Sequence, residues 1–316
     1  MSAHKPQRRS FNFMRHQAWE DAVFVHWAVD ARVLQALLPR ALEPDCFDGL
    51  AYVGLVLLAE NGISARLPVI SAVKFSHLAA NVRTYVRLKS RPELTGIYFF
   101  SLDCSSALVT LGARAAFSLP YQLSTMTHSA TAVPRGDGDG ADARSGLTQH
   151  KFNAVRCRSR WCRRPGYGNG GPNASTTTCS ISARWTCAPS RSVDSTPGTF
   201  AHYAVERYHL FVEGKGLGAP GVGYAVVLGA GSWGWSGDKL LGAGTGAGAG
   251  VGRGSLFRGT IDHAPWRLCE AELTHLSSTA LESVGLPPPG PGSKPIVFAA
   301  AQPVTDVDFW LFERVA

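Results

Sequence analysis

The 316-residue chain is 45% hydrophobic and 17% charged, so it can bury a sizeable core in one large domain or two ordinary ones. Its formal net charge is +8, yet nucleic-acid binding needs clustered basic residues beside an aromatic platform or a docking element. The densest basic cluster borders a Gly- and Ser-rich stretch and indicates a solvated loop: Arg156, Arg158, Arg160, Arg163 and Arg164. Composition therefore argues against a nucleic-acid partner.

The seven cysteines form no Cys-x-x-Cys, and no histidine pair completes a zinc pattern. We predict reduced thiols and no metal site. The longest apolar run, Leu50 to Ala59, is about half the length of a membrane helix. The basic residues 1–10 are not followed by the apolar segment of a secretory signal. The sequence therefore predicts a soluble, cytoplasmic protein without membrane contact.

The first part of the chain predicts one short helix and several strands. Apolar residues recur at helical spacing from Val33 to Leu42, Asp30 can cap this helix, and Pro39 limits its length. Closely spaced apolar runs with short connections then favour an antiparallel sheet or barrel. These predicted strands cover residues 50–58, 81–88, 97–102 and 108–117.

The rest of the chain is less regular. We predict strands at 150–161 and 180–187, a short helix running into a strand at 199–211, a helix at 271–284, and one or two strands at 296–315. Three polar or glycine-rich segments cannot offset their ordering entropy by burial. We therefore expect residues 127–148, 163–178 and 214–254 to be flexible insertions.

One segment imitates a dinucleotide-binding fingerprint. A strand-like run precedes Gly229, Gly231 and Gly234, spaced as G-x-G-x-x-G. Residues 235–246, directly after these glycines, are too glycine-rich for the helix that such a site needs, and no carboxylate lies about twenty residues on. We therefore expect no nucleotide and no other cofactor.

Polar residues interrupt several apolar segments. Arg83 and Tyr85 alternate with apolar neighbours and share one face of their strand. Arg114 ends another apolar run, and residues 206–208 place Glu-Arg-Tyr together. Because a buried arginine is costly unless it is paired, these arginines need carboxylates such as Glu206 or Asp103, or an anionic ligand. An internal ion-pair network and a ligand-facing pocket both remain open.

His263 and Trp266 form a further candidate cluster. Pro265 forces an extended backbone before it, and Trp266 offers a large apolar surface with one N–H donor. A single histidine is more often a structural group than a catalyst. Both a pocket role and a structural role are therefore open for this pair.

Nine short stretches, in this order, carry a resemblance to a known family: Phe13–Trp19, Phe24–Trp27, Leu37–Leu42, Phe47–Val53, Asn81–Val86, Tyr98–Asp103, Gly112–Tyr121, Glu206–Tyr208 and His263–Trp266. Together they resemble the YqjF-like (DUF2071) family of uncharacterised proteins, placed in the acetoacetate decarboxylase-like superfamily. The resemblance implies one domain over residues 11–316. Its fold would be mainly β (α+β), a closed antiparallel β-barrel with an internal cavity, a few peripheral helices and the three insertions as long flexible loops.

The resemblance also bears on chemistry. In the decarboxylase, a Gly-Arg is followed by a Pro-Lys-Lys whose first lysine forms the Schiff base. Here Pro120 keeps its distance from Arg114, but Tyr121 and Gln122 stand at the lysine positions. A tyrosine cannot form an imine, and a glutamine cannot supply the neighbouring charge. We therefore predict that Schiff-base decarboxylation is absent.

The first functional hypothesis is a protein that binds a small anionic or carbonyl-bearing molecule in the cavity, with Glu206 orienting an arginine. Its ligand-binding candidates are Arg83, Tyr85, Arg114, Tyr121, Glu206 and Trp266. A second is an imine-independent lyase, hydratase or isomerase acting on a small oxo-acid, with Tyr121, Glu206 or His263 as acid or base. A third is a structural or interaction module. Homo-oligomerisation and the identity of the ligand stay open.

Overall fold

A computed structural model of the chain describes residues 12–65, 74–133, 146–157, 179–214, 255–290 and 292–316. The strands are β1 Asn12–Val29, β2 Leu42–Pro44, β3 Ala51–Ala65, β4 Phe75–Leu88, β5 Arg91–Cys104, β6 Tyr121–Ala132, β7 Thr148–Arg156, β8 Ser180–Val193, β9 His209–Gly214, β10 Ser255–Asp262, β11 Leu268–Ser278, β12 Ile296–Ala300 and β13 Val304–Arg314. The helices are α1 Ala31–Leu37, α2 Ala107–Phe117 and α3 Phe200–Val205, with a 3-10 turn at Glu282–Val284. The prediction of a mainly β fold with few helices is confirmed.

The thirteen described strands form one sheet, in the order β12-β11-β8-β7-β6-β5-β9-β10-β13-β1-β3-β4-β2. Two further pairings join β12 to β1 and β5 to β4. Most neighbours are antiparallel, but β5 runs parallel to both β6 and β9. The prediction of an antiparallel sheet therefore holds for most strand pairs and is wrong for these two.

Both faces of strand β3 are buried, which explains why its sequence is almost continuously apolar. Successive side chains of a strand point to opposite faces, and here both faces are buried, as the unbroken apolar run requires. The side we call the first core contains Val53, Leu55 and Leu57 together with Phe152 and Trp185. The side we call the second core contains Tyr52, Val56 and Leu58 together with Ile97, Leu210 and Trp266.

Two predicted elements are wrong in type. Residues 108–117 form helix α2 instead of a strand, because Ser106 caps the helix through Val109 N–H and the Ala-rich sequence after the cap favours helix. Residues 271–284 form a strand and a 3-10 turn instead of a helix. Strand β11 pairs with β8 over most of its length, and such tertiary pairing overrides a weak local preference.

Other predictions are confirmed in detail. Asp30 accepts a hydrogen bond from Arg32 N–H at the start of α1, and the helix ends just before Pro39. Helix α3 runs into β9 as expected. The predicted insertion at 127–148 is too long, because residues 127–132 belong to β6 and pair with β7. Three further predicted features lie outside the described residues: the insertion at 163–178, residues 215–254 of the third insertion, and the fingerprint at 224–234.

None of the helices in the described part of the chain is both long and apolar enough to cross a membrane. The cysteines among the described residues are free thiols.

Gly96 is required where β5 and β9 approach each other in parallel. A Cβ atom at this position would lie 2.6 Å from the carbonyl oxygen of His209 and 2.9 Å from the Phe211 ring. We expect Gly96→Ala to lower the free energy of unfolding by about 1–3 kcal/mol through overpacking. Gly112→Ala in α2, where a Cβ meets nothing within 4 Å, should instead raise it by about 0.5–1 kcal/mol. Urea unfolding of both variants tests these two predictions, and equal changes in the free energy of unfolding would contradict them.

Candidate functional site

A pocket of about 440 Å³ lies against the second core. Helix α2 forms one wall with Leu108, Val109 and Phe117, and strands of the sheet form the others. The lining is mostly apolar, with a small number of polar side chains, as is usual for small-molecule sites. The polar groups are Glu60, His77, Asn81, Arg83, Tyr121, Arg207 and His263, together with Trp266.

Strand periodicity brings two of these groups into the pocket side by side. Asn81 and Arg83 are two residues apart on β4, so they share one face. Glu60 on β3 stands opposite His77 on β4, and their side chains come within 3.9 Å. Sequence reasoning missed Glu60, His77 and Asn81, although the same signal, a polar residue inside an apolar strand, could have found them.

Arg83 keeps donor capacity in the pocket. Its Nη2 donates to the carbonyl oxygen of Ala204 at 3.0 Å, and the guanidinium lies 5.5 Å from the Phe24 ring centre. Among the described residues it makes no salt bridge with a carboxylate, and its buried Nε has no hydrogen-bond partner. The buried Oδ1 of Asn81 likewise has no partner there. Two unsatisfied polar atoms, one donor on a cation and one neutral acceptor, therefore lie in residues that line the pocket.

Arg207 lines the same pocket, but its charge is already paired. Its Nη1 donates to Asp45 at 2.7 Å, and its Nε donates to the Tyr203 carbonyl oxygen at 2.6 Å. The Tyr203 ring lies 4.4 Å from the guanidinium. The predicted internal ion-pair network therefore includes Arg207, whereas Arg83 stays available.

Arg114 lies outside the pocket lining. It projects from α2, where its Nε donates to the Tyr121 carbonyl oxygen at 2.7 Å and its Nη2 donates to Gln122 Oε1 at 2.9 Å. The side chain thus ties the helix to the start of β6. In the described structure its hydrogen bonds position Tyr121, which does line the pocket.

Tyr121 presents a neutral phenol to the pocket. Burial raises the pKa of Tyr121 well above its usual value, and the nearby Glu60 carboxylate raises it further. The phenol therefore keeps its proton near neutral pH and can donate a hydrogen bond.

Tyr85 also lies outside the pocket lining. Its hydroxyl shares a 2.6 Å hydrogen bond with Nε2 of His26, and both side chains are fully buried. Arg207 lies over its ring at 5.2 Å. The structure thus places Tyr85 behind the pocket, in the packing that supports Arg207.

Glu206 holds the loop that carries His263 and Trp266. Its Oε1 accepts from Trp266 N–H at 2.8 Å, and its Oε2 accepts from Tyr208 Oη at 2.6 Å. The Tyr208 ring stacks on His263, with ring centres 4.8 Å apart. The buried Glu206 carboxylate thus orients this loop, and in the described structure it binds no arginine.

His263 and Trp266 reach the pocket from that loop. Burial lowers the pKa of His263, so its ring is neutral near pH 7. Its Nδ1 lies 2.8 Å from the Ala264 carbonyl oxygen. Trp266 stacks on Trp19, with ring centres 5.7 Å apart. The pair therefore contributes an apolar wall and a neutral imidazole.

One group of three side chains in the described part of the chain lies close enough together to hold a metal ion: Asp21, His128 and His150. None of the three lines the pocket.

The fold is similar to several solved structures of one class. The enduracididine biosynthesis enzyme MppR complexed with pyruvate matches with a TM-score of 0.52 at 13% identity, covering 97% of this chain and 91% of that one. An acetoacetate decarboxylase matches with a TM-score of 0.52 at 11% identity, covering 96% and 90%. The acetoacetate decarboxylase of Legionella pneumophila matches with a TM-score of 0.50 at 13% identity, covering 99% and 93%. The chain therefore has an acetoacetate decarboxylase-like fold.

Within that class, the chain belongs to the DUF2071 family, described as an uncharacterized conserved protein, which it matches over residues 16–225. It is 44% identical over 111 residues to the uncharacterized protein YqjF of Bacillus subtilis (strain 168). That match spans 34% of this chain and 44% of the relative, so it covers less than half of the relative's length. The family predicted from the nine ordered stretches is confirmed.

Proposed function

We propose that this protein binds a small 2-oxo acid or related carboxylate in the pocket of the second core. The observation that carries the proposal is the Nε of Arg83, a buried donor on a cation that makes no salt bridge among the described residues. A buried polar donor without a hydrogen-bond partner is costly, and an anionic ligand that accepts from it removes that cost. Charge-assisted hydrogen bonds to a carboxylate are also among the strong ones.

The other pocket groups suit the rest of such a ligand. The neutral Tyr121 phenol can donate to a carbonyl oxygen, and the Oδ1 of Asn81 can accept from a hydroxyl or an enol. The apolar wall of α2 and the Trp266 ring favour a ligand with an apolar tail. The pyruvate held by MppR, a protein with a similar fold, supports the choice of 2-oxo acids as first ligands.

Imine chemistry is not part of the proposal. No lysine is among the described residues that line the pocket, and Tyr121 and Gln122 occupy the positions where the decarboxylase resemblance expects lysines. A second candidate function is imine-independent lyase, hydratase or isomerase activity on the same ligands. The Glu60–His77 pair favours it, because a carboxylate and an imidazole 3.9 Å apart at the pocket wall can serve as base and acid.

We also propose that the sheet closes into a barrel around this pocket. The pairings of β12 with β1 and of β5 with β4 support this, because each returns the strand order to a strand that already has partners. Such closure would keep the pocket walls rigid.

Ligand binding should depend on Arg83. We expect pyruvate, or a 2-oxo acid with a longer apolar tail, to raise the melting temperature of the wild type and to bind in calorimetry. Arg83→Met should weaken binding about 10- to 100-fold, because hydrogen bonds to a charged group contribute about 1.5–3 kcal/mol. The matched control is Arg87→Met on the same strand, since Arg87 pairs with Glu43 and is half exposed.

The outcomes separate the two functions. Equal binding by wild type and Arg83→Met, or no stabilisation by any 2-oxo acid, would refute the binding proposal. Consumption of the ligand by the wild type that is lost in Glu60→Gln and His77→Gln, with binding retained, would establish the catalytic alternative.

A further inference from the structure

A second polar cluster lies beside Phe152 and Trp185 of the first core, and none of its three residues lines the pocket. The Nε2 of His128 is 3.2 Å from the Nδ1 of His150, and the Nδ1 of His128 is 3.8 Å from Oδ2 of Asp21. One ligand atom from each residue lies within 4.8 Å of the other two. His150 is buried, His128 is partly buried and Asp21 is exposed, so an ion can reach the cluster from solvent on the Asp21 side.

The strand register makes this cluster a consequence of the fold. In the β6–β7 ladder, His150 stands opposite Ala130 and His128 stands opposite Phe152, so the two histidines are diagonal neighbours on one face. Asp21 lies in an irregularity of β1, where the register with β3 shifts between Glu20 and Val23. Its φ of +50° is left-handed, a conformation that aspartate tolerates better than most residues. Bulges of this kind re-aim side chains.

His150 is held in an orientation suited to a ligand. Its ring is parallel to that of Trp185, with centres 4.9 Å apart. Its Nε2 lies 3.4 Å from the sulfur of Cys187, and a proton on Nε2 donated to that sulfur leaves the Nδ1 lone pair facing His128. Ligating histidines commonly have such a supporting acceptor.

We propose that Asp21, His128 and His150 bind one divalent transition-metal ion of the zinc class, with a fourth position open to solvent. Two ligands about 2.1 Å from a tetrahedral ion lie about 3.4 Å apart, close to the observed separation of the two histidine nitrogens. The 3.8 Å contact of Asp21 is to the other nitrogen of His128, so the exposed Asp21 carboxylate must turn toward the Nε2 of His128 to complete the site. Trp185 meanwhile fixes His150. Imidazole nitrogens with a carboxylate suit zinc-class ions better than magnesium or calcium.

The metal ions themselves test this site. The full chain, stripped with a chelator, is titrated with Zn²⁺ against a chromophoric competitor and with Co²⁺ by visible absorption. We expect one equivalent bound by the wild type, with affinity lowered at least about tenfold in Asp21→Asn and in His128→Gln. The control is His275→Gln, which removes an exposed histidine of β11 and should leave the affinity unchanged. Far-UV circular dichroism checks that each variant folds, and the exposed Asp21 makes Asp21→Asn the safer of the two.

Three results would overturn the proposal. The first is no stoichiometric binding of either ion by the wild type. The second is unchanged affinity in both Asp21→Asn and His128→Gln, which would place the ion elsewhere in the chain. The third is an intense sulfur-to-cobalt charge-transfer band in the near ultraviolet, which would show that a cysteine binds the ion, contrary to the proposed ligand set.

Discussion

Replacing Arg156 by methionine is expected to lower the free energy of unfolding by about 3–5 kcal/mol, because the change leaves a buried carboxylate without its counter-charge. The Nε and Nη2 of Arg156 donate to the two oxygens of Asp103 at 2.8 and 2.7 Å. Asp103 is only 3% exposed, and Ser124 Oγ supplies one further hydrogen bond. One neutral hydroxyl cannot replace a bidentate guanidinium.

The measurement is urea unfolding followed by circular dichroism. The double variant Asp103→Leu/Arg156→Met should recover most of the loss, since replacing a buried ion pair by apolar residues is often neutral. Arg87→Met, which removes a partly exposed pair with Glu43, should cost less than about 1 kcal/mol. A loss below about 1 kcal/mol in Arg156→Met would show that Asp103 is solvated or protonated instead of ion-paired.

Replacing Glu206 by alanine is expected to lower the free energy of unfolding by about 2–6 kcal/mol. The carboxylate accepts from Trp266 N–H and from Tyr208 Oη, and each buried donor left without an acceptor costs about 1–3 kcal/mol. Because Trp266 and His263 line the pocket, the same change should also weaken binding of the 2-oxo acid. Urea unfolding and calorimetry on one preparation measure both effects.

Glu206→Gln is the matched control. Its carbonyl oxygen can accept from Trp266 N–H while its amide donates to the Tyr208 hydroxyl, so both hydrogen bonds can persist. We expect this variant to lose less than half of what the alanine variant loses. Equal losses in the two variants would mean that the negative charge of Glu206, and not its acceptor capacity, holds the loop.

Part of the fold and the family could be predicted from residues that are neighbours along the chain. The apolar run of β3, the Asp30 cap and the ordered family stretches are local patterns, so the mainly β fold and the family could be predicted from them. The presence of Tyr121 and Gln122, where the resemblance expects two lysines, can likewise be read directly from the sequence.

Other features, such as the choice between helix and strand for residues 271–284, needed the tertiary structure. The type of β11 was decided by its pairing with β8, which is distant along the chain. The type of α2 was instead decided by the Ser106 cap, a local signal that the strand prediction overlooked. The basic run that begins at Arg156 reads as a solvated loop in sequence. In the fold, Arg156 is instead the partly buried partner of the buried Asp103.

The amino-acid sequence alone determined the family, the strand-rich fold and the absence of lysines at positions 121 and 122, because each depends on residue identity or short-range periodicity. Which charges are satisfied became clear only in three dimensions: Arg207 is paired with Asp45, whereas Arg83 faces the pocket. The folded chain likewise brings Asp21 of β1 to His128 and His150 of β6 and β7. Contacts between distant strands depend on sheet order and register, which local sequence does not encode.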